Sequence, residues 1–208
     1  SVSIIGAVSP PGGDFSEPVT QHTRRFVRCF WGLDRSLASE RHYPAISWLD
    51  SYSEYVDEVA PWWQLQGEGG WLESRQEIME LLQKEVRLQQ IVKLVGPDAL
   101  PDSQNFILEV CRLFKTAFLQ QNAFDEIDRY STVAKQLKML QLILDYWHLG
   151  SDAIAKGVTM VKIRRLKVVQ EIARMRFSVP NDDLDQLDHI ALRLERSMTQ
   201  LGGIYEER

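Results

Sequence analysis

The sequence predicts a mainly α fold in which a helical bundle follows a small piece of α/β sheet. From Ser51 onward, apolar residues recur at helical spacing, most clearly on both sides of residues 118–130. Before Ser51, short dense apolar runs alternate with prolines and glycines, a pattern typical of buried strands joined by loops. With 208 residues, 44% of them hydrophobic and 25% charged, the chain can bury a full core.

Residues 118–130 separate the two most clearly amphipathic helical patterns and break both of them. Phe124 stands there beside the side-chain amides of Gln121 and Asn122 and the small Ala123. The combination suits either a corner of the core or a platform for a flat ligand such as a purine. Taken alone, the segment favours the core corner, because buried corners are more common than ligand platforms.

The first residues predict a strand followed by a loop. Residues 2–8 carry apolar and β-branched side chains at successive positions, which indicates a buried strand. The sequence starts without methionine inside this pattern, as expected of a cut made within a domain. Residues 9–18 predict a loop rich in proline and glycine, but without the Lys-Ser/Thr pair of a phosphate-binding P-loop.

The rest of the first quarter predicts a second strand and a short helix. Residues 25–33 have the aromatic density of a mostly buried strand, with a helix as the alternative. Residues 34–41 predict a helix with Asp34 as its N-cap. Pro44 favours an extended Tyr43, whose ring would lie in the core or face a ligand, the core being the commoner arrangement.

The remainder predicts helices, with Pro61 ending the first and Gly96-Pro97 ending the second. The helices on either side of residues 96–103 should form an antiparallel hairpin with its acidic turn in solvent. The predicted spans are 51–60, 73–95, a helix opened by Pro101 or Asp102, 132–156, 159–176, and a last helix with its acidic first turn at residues 180–183.

Composition and motifs exclude several functional classes. The net charge of −5 does not favour non-specific nucleic-acid binding, and no apolar run is long enough to cross a membrane. Cys29 and Cys111 lie in apolar settings and are expected to be buried, reduced thiols of a cytosolic protein. HExxH, CxxC, GxSxG and Walker A patterns are absent, and the four histidines lack metal-ligand spacing. From its residues alone, the chain carries no catalytic constellation.

Several segments resemble the catalytic A subunit of V-type and archaeal A-type ATPases and ATP synthases. Residues 3–20, with the core SPPGGDFSEP, are similar to the signature of that protein. The segments FWGLD, HYPAISWL, LVG and FLQQNAF, beginning at residues 30, 42, 94 and 118, match it in the same order. The similarity spans most of the chain and weakens after about residue 157.

The resemblance implies the C-terminal portion of a subunit that couples ATP synthesis or hydrolysis to ion transport. Residues 1–50 would be a remnant, about two strands, of an α/β nucleotide-binding domain, and residues 51–208 the C-terminal helical domain. The cofactor would be ATP or ADP with Mg²⁺. The phosphate loop, the general base and the Mg²⁺ ligand would lie upstream of Ser1, so this piece alone should be inactive and hold no catalytic residue.

The resemblance also implies the adenine side of the nucleotide site. Tyr43 and Phe124 would be the two rings that flank the adenine, with the backbone of Gln121, Asn122 and Ala123 close to them. Many relatives carry phenylalanine in place of Tyr43, and stacking survives that exchange because both residues offer an aromatic face.

The acidic turn would contact the central rotor, by shape more than by charge, unless it is an ordinary solvated turn. The implied partners are the B subunit of the hexameric head and the rotor stalk subunits, in a cytoplasmic head peripheral to the membrane, with no nucleic acid and no membrane insertion. The alternative is a stand-alone helical protein-interaction module without nucleotide binding. The predicted rotor-contact residues are Gly96, Pro97, Asp98, Ala99, Leu100, Pro101 and Asp102.

Overall fold

The computed structural model describes residues 2–66, 70–96 and 99–206, with side chains as far as residue 203. Its architecture is mainly helical with one small antiparallel sheet, which confirms the predicted fold class. No helix within these ranges is both long and apolar enough to span a membrane. The elements are α1 (Pro18–Phe26), β1 (Cys29–Phe30), α2 (Arg35–Ser39), β2 (Tyr52–Ser53), α3 (Val56–Gln66), α4 (Trp71–Val95), α5 (Asp102–Phe114), a π-helical turn (Lys115–Leu119), α6 (Val133–Ala155), α7 (Met160–Arg164), α8 (Lys167–Ser178) and α9 (Asp185–Glu206).

The chain divides into two compact units, Ser1–Pro61 and Trp62–Arg208. In the first unit, β1 pairs with β2, and Phe30 of β1 stacks on Tyr52 of β2 with ring centroids 5.9 Å apart. The Arg24 guanidinium lies 5.0 Å from the centre of the Phe30 ring, and the Tyr52 hydroxyl donates a hydrogen bond to the Arg24 carbonyl at 2.6 Å. This cation–π cluster fixes α1 against the sheet.

The predicted buried strand over residues 2–8 is wrong. This segment has no regular secondary structure, and Ile4 and Ile5 are 91% and 88% exposed. A strand needs a hydrogen-bonded neighbour, and none of the described strands pairs with this segment. Cys29 is likewise exposed and not buried. Burial is confirmed for Cys111, where it raises the pKa of the thiol to about 12.

Most of the strand predicted over residues 25–33 is also wrong, since α1 continues to Phe26 and only Cys29–Phe30 is a strand. The helix begins inside the predicted loop because Glu17 accepts a hydrogen bond from the Thr20 amide and Pro18 occupies the first turn. The N-cap prediction for α2 is confirmed. Asp34 Oδ1 accepts hydrogen bonds from the Ser36 and Leu37 amides at 2.6 and 3.1 Å.

Pro61 does not end its helix, contrary to the prediction. It lies inside α3, which continues to Gln66. A proline removes one helical hydrogen bond but does not forbid continuation where packing stabilises the next turn. Trp63, in that next turn, stacks on Trp71 at the start of α4, with ring centroids 5.0 Å apart and nearly parallel planes.

The second unit is built on the contact of α5 with α6, and α4, α7, α8 and α9 surround this pair. α4 and α5 pack as the expected antiparallel hairpin, and Lys115 Nζ lies 2.5 Å from Glu85 Oε2 across it. The helical spacing of residues 73–95 places Val95 on the apolar face, but Val95 is 61% exposed. The fully buried apolar side chains include Leu81, Leu82, Phe106, Leu113, Ile143, Leu144, Ile163, Ile172, Met175 and Leu194.

The helix predicted over residues 159–176 is in fact two helices. α7 ends at Arg164, and Leu166 is extended before α8 begins. The break allows Ile163 on one side and Val168 on the other to be buried, which a single straight helix does not allow equally well. The helix predicted over residues 132–156 is α6, which begins one residue later because Thr132 is its N-cap, and it ends before Gly157, whose φ is 93°.

Replacing Tyr146 with phenylalanine should raise the stability of the second unit by about 1 kcal/mol. The Tyr146 ring is fully buried beside Phe106, and its hydroxyl has no hydrogen-bond partner among the described residues. Removing an unpaired buried hydroxyl removes its desolvation penalty and leaves the ring packing unchanged. A higher urea midpoint with an unchanged m-value would confirm this. A lower midpoint would show that the hydroxyl has a stabilising role.

Candidate functional site

The segment between the π-helical turn and α6 holds most of the candidate site. The Gln120 amide donates to the Lys115 carbonyl at 2.9 Å and closes the π-helical turn, after which the chain is irregular up to Thr132. The two phenylalanines of this segment differ in their surroundings. Phe118 stacks on Phe114 at 5.0 Å, whereas Phe124 is 98% exposed. Phe124 is therefore no corner of the core.

Short hydrogen bonds fix the backbone that carries Phe124. The Asn122 amide donates to Asp128 Oδ2 at 2.7 Å, and the Phe124 amide donates to Asn122 Oδ1 at 3.0 Å. Asp125 Oδ1 accepts from the amide of Asp128 at 2.8 Å. The Asx-type hydrogen bonds of Asn122 and Asp125 thus present the Phe124 ring to solvent from a hydrogen-bonded backbone.

Behind this loop, Asp128 forms a buried ion pair with Arg176 of α8. Burial lowers the pKa of Arg176, and the carboxylate of Asp125 opposes this effect. A cavity of about 150 Å³ lies beside the pair, smaller than the roughly 300–1,000 Å³ of ligand pockets, so it cannot enclose a nucleotide. Its lining consists of Phe118, Gln120, Gln121, Asp128, Ser131, Gln136, Met139 and Arg176.

Tyr43 lies in the first unit, between α2 and β2, and is 53% exposed. Its hydroxyl donates a long hydrogen bond of 3.4 Å to the Ala38 carbonyl, and a cis peptide bond joins it to Pro44. The neighbouring His42 is buried, with its ring 5.7 Å from that of Trp48. Tyr43 belongs to one unit and residues 121–124 to the other, so their joint role in one pocket stays a prediction.

The predicted rotor-contact segment lies between α4 and α5, and Pro97 and Asp98 are outside the described residues. Gly96 ends α4 with a φ of 86°, and Ala99 and Pro101 are exposed. Leu100 is buried instead, at 8% exposure.

Asp102 takes part in contacts within its own unit. Its Oδ2 accepts a hydrogen bond from the Met160 amide at 3.0 Å, at the start of α7. Leu94 and Val95, both in the LVG segment, are exposed apolar residues at this end, at 85% and 61% exposure. The helical pattern places Val95 on the inward face, so the sequence contains no signal for its exposure.

Comparisons with known proteins give the family. Residues 60–163 match the family described as the C-terminal domain of V and A type ATP synthase. The chain belongs to this family. Residues 1–53 match the nucleotide-binding domain of the ATP synthase alpha/beta family.

Individual relatives agree with this assignment to the V- and A-type ATP synthases. The V-type ATP synthase alpha chain of Halothermothrix orenii is 48% identical over 207 residues, which are 100% of this chain and 35% of that protein. The A subunit of the A-type ATP synthase of Methanopyrus kandleri is 50% identical over 202 residues, 97% of this chain and 34% of the relative. That of Pyrococcus abyssi is 52% identical over 177 residues, 85% of this chain and 17% of the relative.

The chain therefore spans about a third of the length of the first two relatives and corresponds to the C-terminal portion of the A subunit. Tyr43 falls within the match to the nucleotide-binding domain, and residues 96–102 and 121–124 fall within the match to the C-terminal domain. Arg176 lies beyond both matches. A stand-alone interaction module is not favoured. Within the described ranges, no group of His, Cys, Asp and Glu side chains could hold a metal ion.

Proposed function

We propose that this chain is the C-terminal part of the catalytic A subunit of a rotary V/A-type ATPase, in which it supplies the adenine side of the nucleotide pocket. The exposed ring of Phe124 carries this proposal. A phenylalanine held away from the core on a hydrogen-bonded loop forgoes about 1.5–3 kcal/mol of burial, unless a ligand covers it. Adenine has the flat π face that such a ring stacks on.

Residues 1–50 are the part that we place in the nucleotide-binding domain, and residues 51–208 form the helical domain. The two family matches, over residues 1–53 and 60–163, support two domains, although β2 pairs with β1 and the first compact unit runs to Pro61. Tyr43 would offer a second ring to the adenine, and the backbone of Gln121, Asn122 and Ala123 would lie along its edge. The bound species is ATP or ADP with Mg²⁺, which neutralises charge on the phosphates through ligands outside this chain.

The helical domain would transmit nucleotide binding to the rotor. The hairpin of α4 and α5 ends in the segment Gly96–Asp102, where exposed Leu94 and Val95 offer an apolar contact surface. Closure of the nucleotide pocket would move this end, so that a hinge motion becomes a push on the rotor. The B subunit of the head and the rotor stalk subunits are the partners that this role requires, in a cytoplasmic head at the membrane surface.

Phe124→Ala in the full-length subunit, assembled in its complex, should weaken ADP binding about tenfold. Stacking of a base on an aromatic ring contributes about 1–3 kcal/mol, and each 1.4 kcal/mol is about a factor of ten in affinity. Tyr43→Ala should have a similar effect, whereas Tyr43→Phe should retain affinity because it keeps the aromatic face. Equilibrium binding of a fluorescent ADP analogue, displaced by ADP, measures the change.

Tyr130 provides the matched control for this experiment. It lies in the same irregular segment, and its ring is 66% exposed, but it is not among the residues proposed to meet the adenine. Tyr130→Ala should leave ADP affinity within about twofold of the parent. If Phe124→Ala binds ADP as tightly as the parent and Tyr130→Ala, the proposed adenine site is wrong.

A further inference from the structure

The loop that carries Phe124 is tied to the end of α8 by buried polar contacts. Asp128 lies in the loop at 4% exposure, and the side chain of its ion-pair partner Arg176 is 15% exposed. The pair joins residues separated by 48 positions in sequence. Removing two charges from water is unfavourable unless both are paired, so the pair defines one geometry closely.

Each partner of the pair makes a further bond to the backbone around the loop. Asp128 Oδ2 also accepts from the Asn122 amide at 2.7 Å, two residues before Phe124. Arg176 Nε donates to the Thr116 carbonyl at 2.9 Å, in the turn that precedes the loop. One guanidinium therefore holds both the entry of the loop and the carboxylate that fixes its middle, which a point charge such as lysine could not reproduce.

Asn181, just beyond α8, binds the exit of the same loop. Its Oδ1 accepts from the Thr132 amide at 3.0 Å, and its Nδ2 donates to the Tyr130 carbonyl at 2.8 Å. The end of α8 is itself held, because the fully buried Lys135 donates through Nζ to the Arg176 carbonyl at 2.7 Å. The loop is thus supported at its entry, middle and exit from one place in the fold.

We propose that Asp128, Arg176 and Asn181 form a positioning frame that sets the backbone of residues 122–124 against the adenine. The inference rests on the proposed function, and the three residues act through the loop without touching the nucleotide. A binding constellation must be held within about 0.5 Å of its productive geometry, so the frame affects nucleotide affinity. The position of α8 therefore also influences adenine binding. This helix lies outside residues 60–163, the part matched to the C-terminal domain family.

The test is ATP hydrolysis by the assembled complex with Arg176→Met or Arg176→Lys in the full-length subunit. Both variants should raise the KM for ATP about tenfold and change kcat less than twofold, because the chemistry lies outside this chain. Lysine should not rescue the effect, since it lacks the fork that reaches Thr116 and Asp128 together. Asn181→Asp, which keeps the acceptor for Thr132 and loses the donor to Tyr130, should raise KM about threefold as a milder change.

Two controls separate positioning from general stability. Arg193→Met removes another arginine pair between α8 and α9, that of Arg193 with Glu171, and should leave KM unchanged. Leu194→Ala truncates the buried core of α9 and should lower thermal stability with KM unchanged. If Leu194→Ala raises KM as much as Arg176→Met, or if Arg176→Lys restores the parent KM, the positioning frame is overturned.

The outcome also distinguishes the frame from the adenine site itself. Suppose that Phe124→Ala weakens ADP binding while Arg176→Met and Asn181→Asp keep the KM of the parent protein for ATP. That result would overturn the frame and leave the adenine site standing. Unchanged ADP binding in Phe124→Ala would overturn the adenine site on which the frame depends.

Discussion

Gly150→Ala should lower the free energy of unfolding of the second unit by about 3 kcal/mol, the upper end of what overpacking usually causes. A Cβ at Gly150 would lie 2.2 Å from Cζ and 2.6 Å from Cε1 of Phe106, well inside van der Waals contact. The ring cannot move away easily, because it is fully buried and packs against Tyr146 at 5.1 Å and Trp147 at 5.8 Å. Urea denaturation followed by far-UV circular dichroism measures the loss.

Gly203 of α9 is the matched control, since nothing lies within 4 Å of a Cβ built there. Gly203→Ala should stabilise the chain by about 0.5–1 kcal/mol through helix propensity alone. The double variant Gly150→Ala with Phe106→Leu should lose less than the sum of its single changes, because a smaller side chain leaves room for the methyl group. Equal effects of alanine at the two glycines would show that close packing at Gly150 is unimportant.

Local chemistry predicted several helix boundaries. Asp34 is predicted as an N-cap and Gly96 and Gly157 as stops, and the structure bears out each of these boundaries. Caps and stops depend on backbone amides and φ angles within a few residues, so the sequence of a single turn contains the necessary information.

The errors arose where distant residues decide the outcome. Residues 2–8 have strand composition, but none of the described strands pairs with them, and composition cannot supply a neighbour. Pro61 was expected to end a helix that stacking of Trp63 on Trp71 extends. For residues 2–8 the lack of a partner among the described strands decides the outcome, and for α3 a tertiary contact overrides local propensity.

The candidate site was likewise predictable from the sequence only in part. The motif around Phe124 was visible in the sequence, although its residues alone favoured a core corner, and only the structure gives the exposure of the ring. Arg176 carried no such signal, because it ends an ordinary helical pattern and its partner Asp128 lies 48 positions earlier. The carboxylate of Asp128 in an irregular segment could have indicated an ion pair, but the sequence does not identify which arginine binds it.

Lys115→Met should destabilise the second unit by about 3 kcal/mol, because it removes one partner of a buried ion pair. Lys115 Nζ lies 2.5 Å from Glu85 Oε2, and the Glu85 side chain is only 5% exposed. The carboxylate would keep its 2.8 Å hydrogen bond from Gln89 but lose its counter-charge. Because the pair joins α4 to the turn after α5, its loss should also loosen the hairpin proposed to reach the rotor. Thermal unfolding and hydrogen exchange of α4 measure both effects.

Two further variants show why Lys115→Met loses stability: one breaks an exposed ion pair, and the other removes both partners of the buried pair. Lys138→Met removes a pair with Asp188 at a similar 2.5 Å, but both side chains are well exposed, so the expected loss is under about 1 kcal/mol. Replacing both Glu85 and Lys115 with methionine should recover most of the stability, because no unpaired charge stays buried. If the double variant is as unstable as Lys115→Met, the attraction within the pair itself holds the hairpin together. The stability of the α4–α5 hairpin would then depend on this ion pair and not on apolar packing.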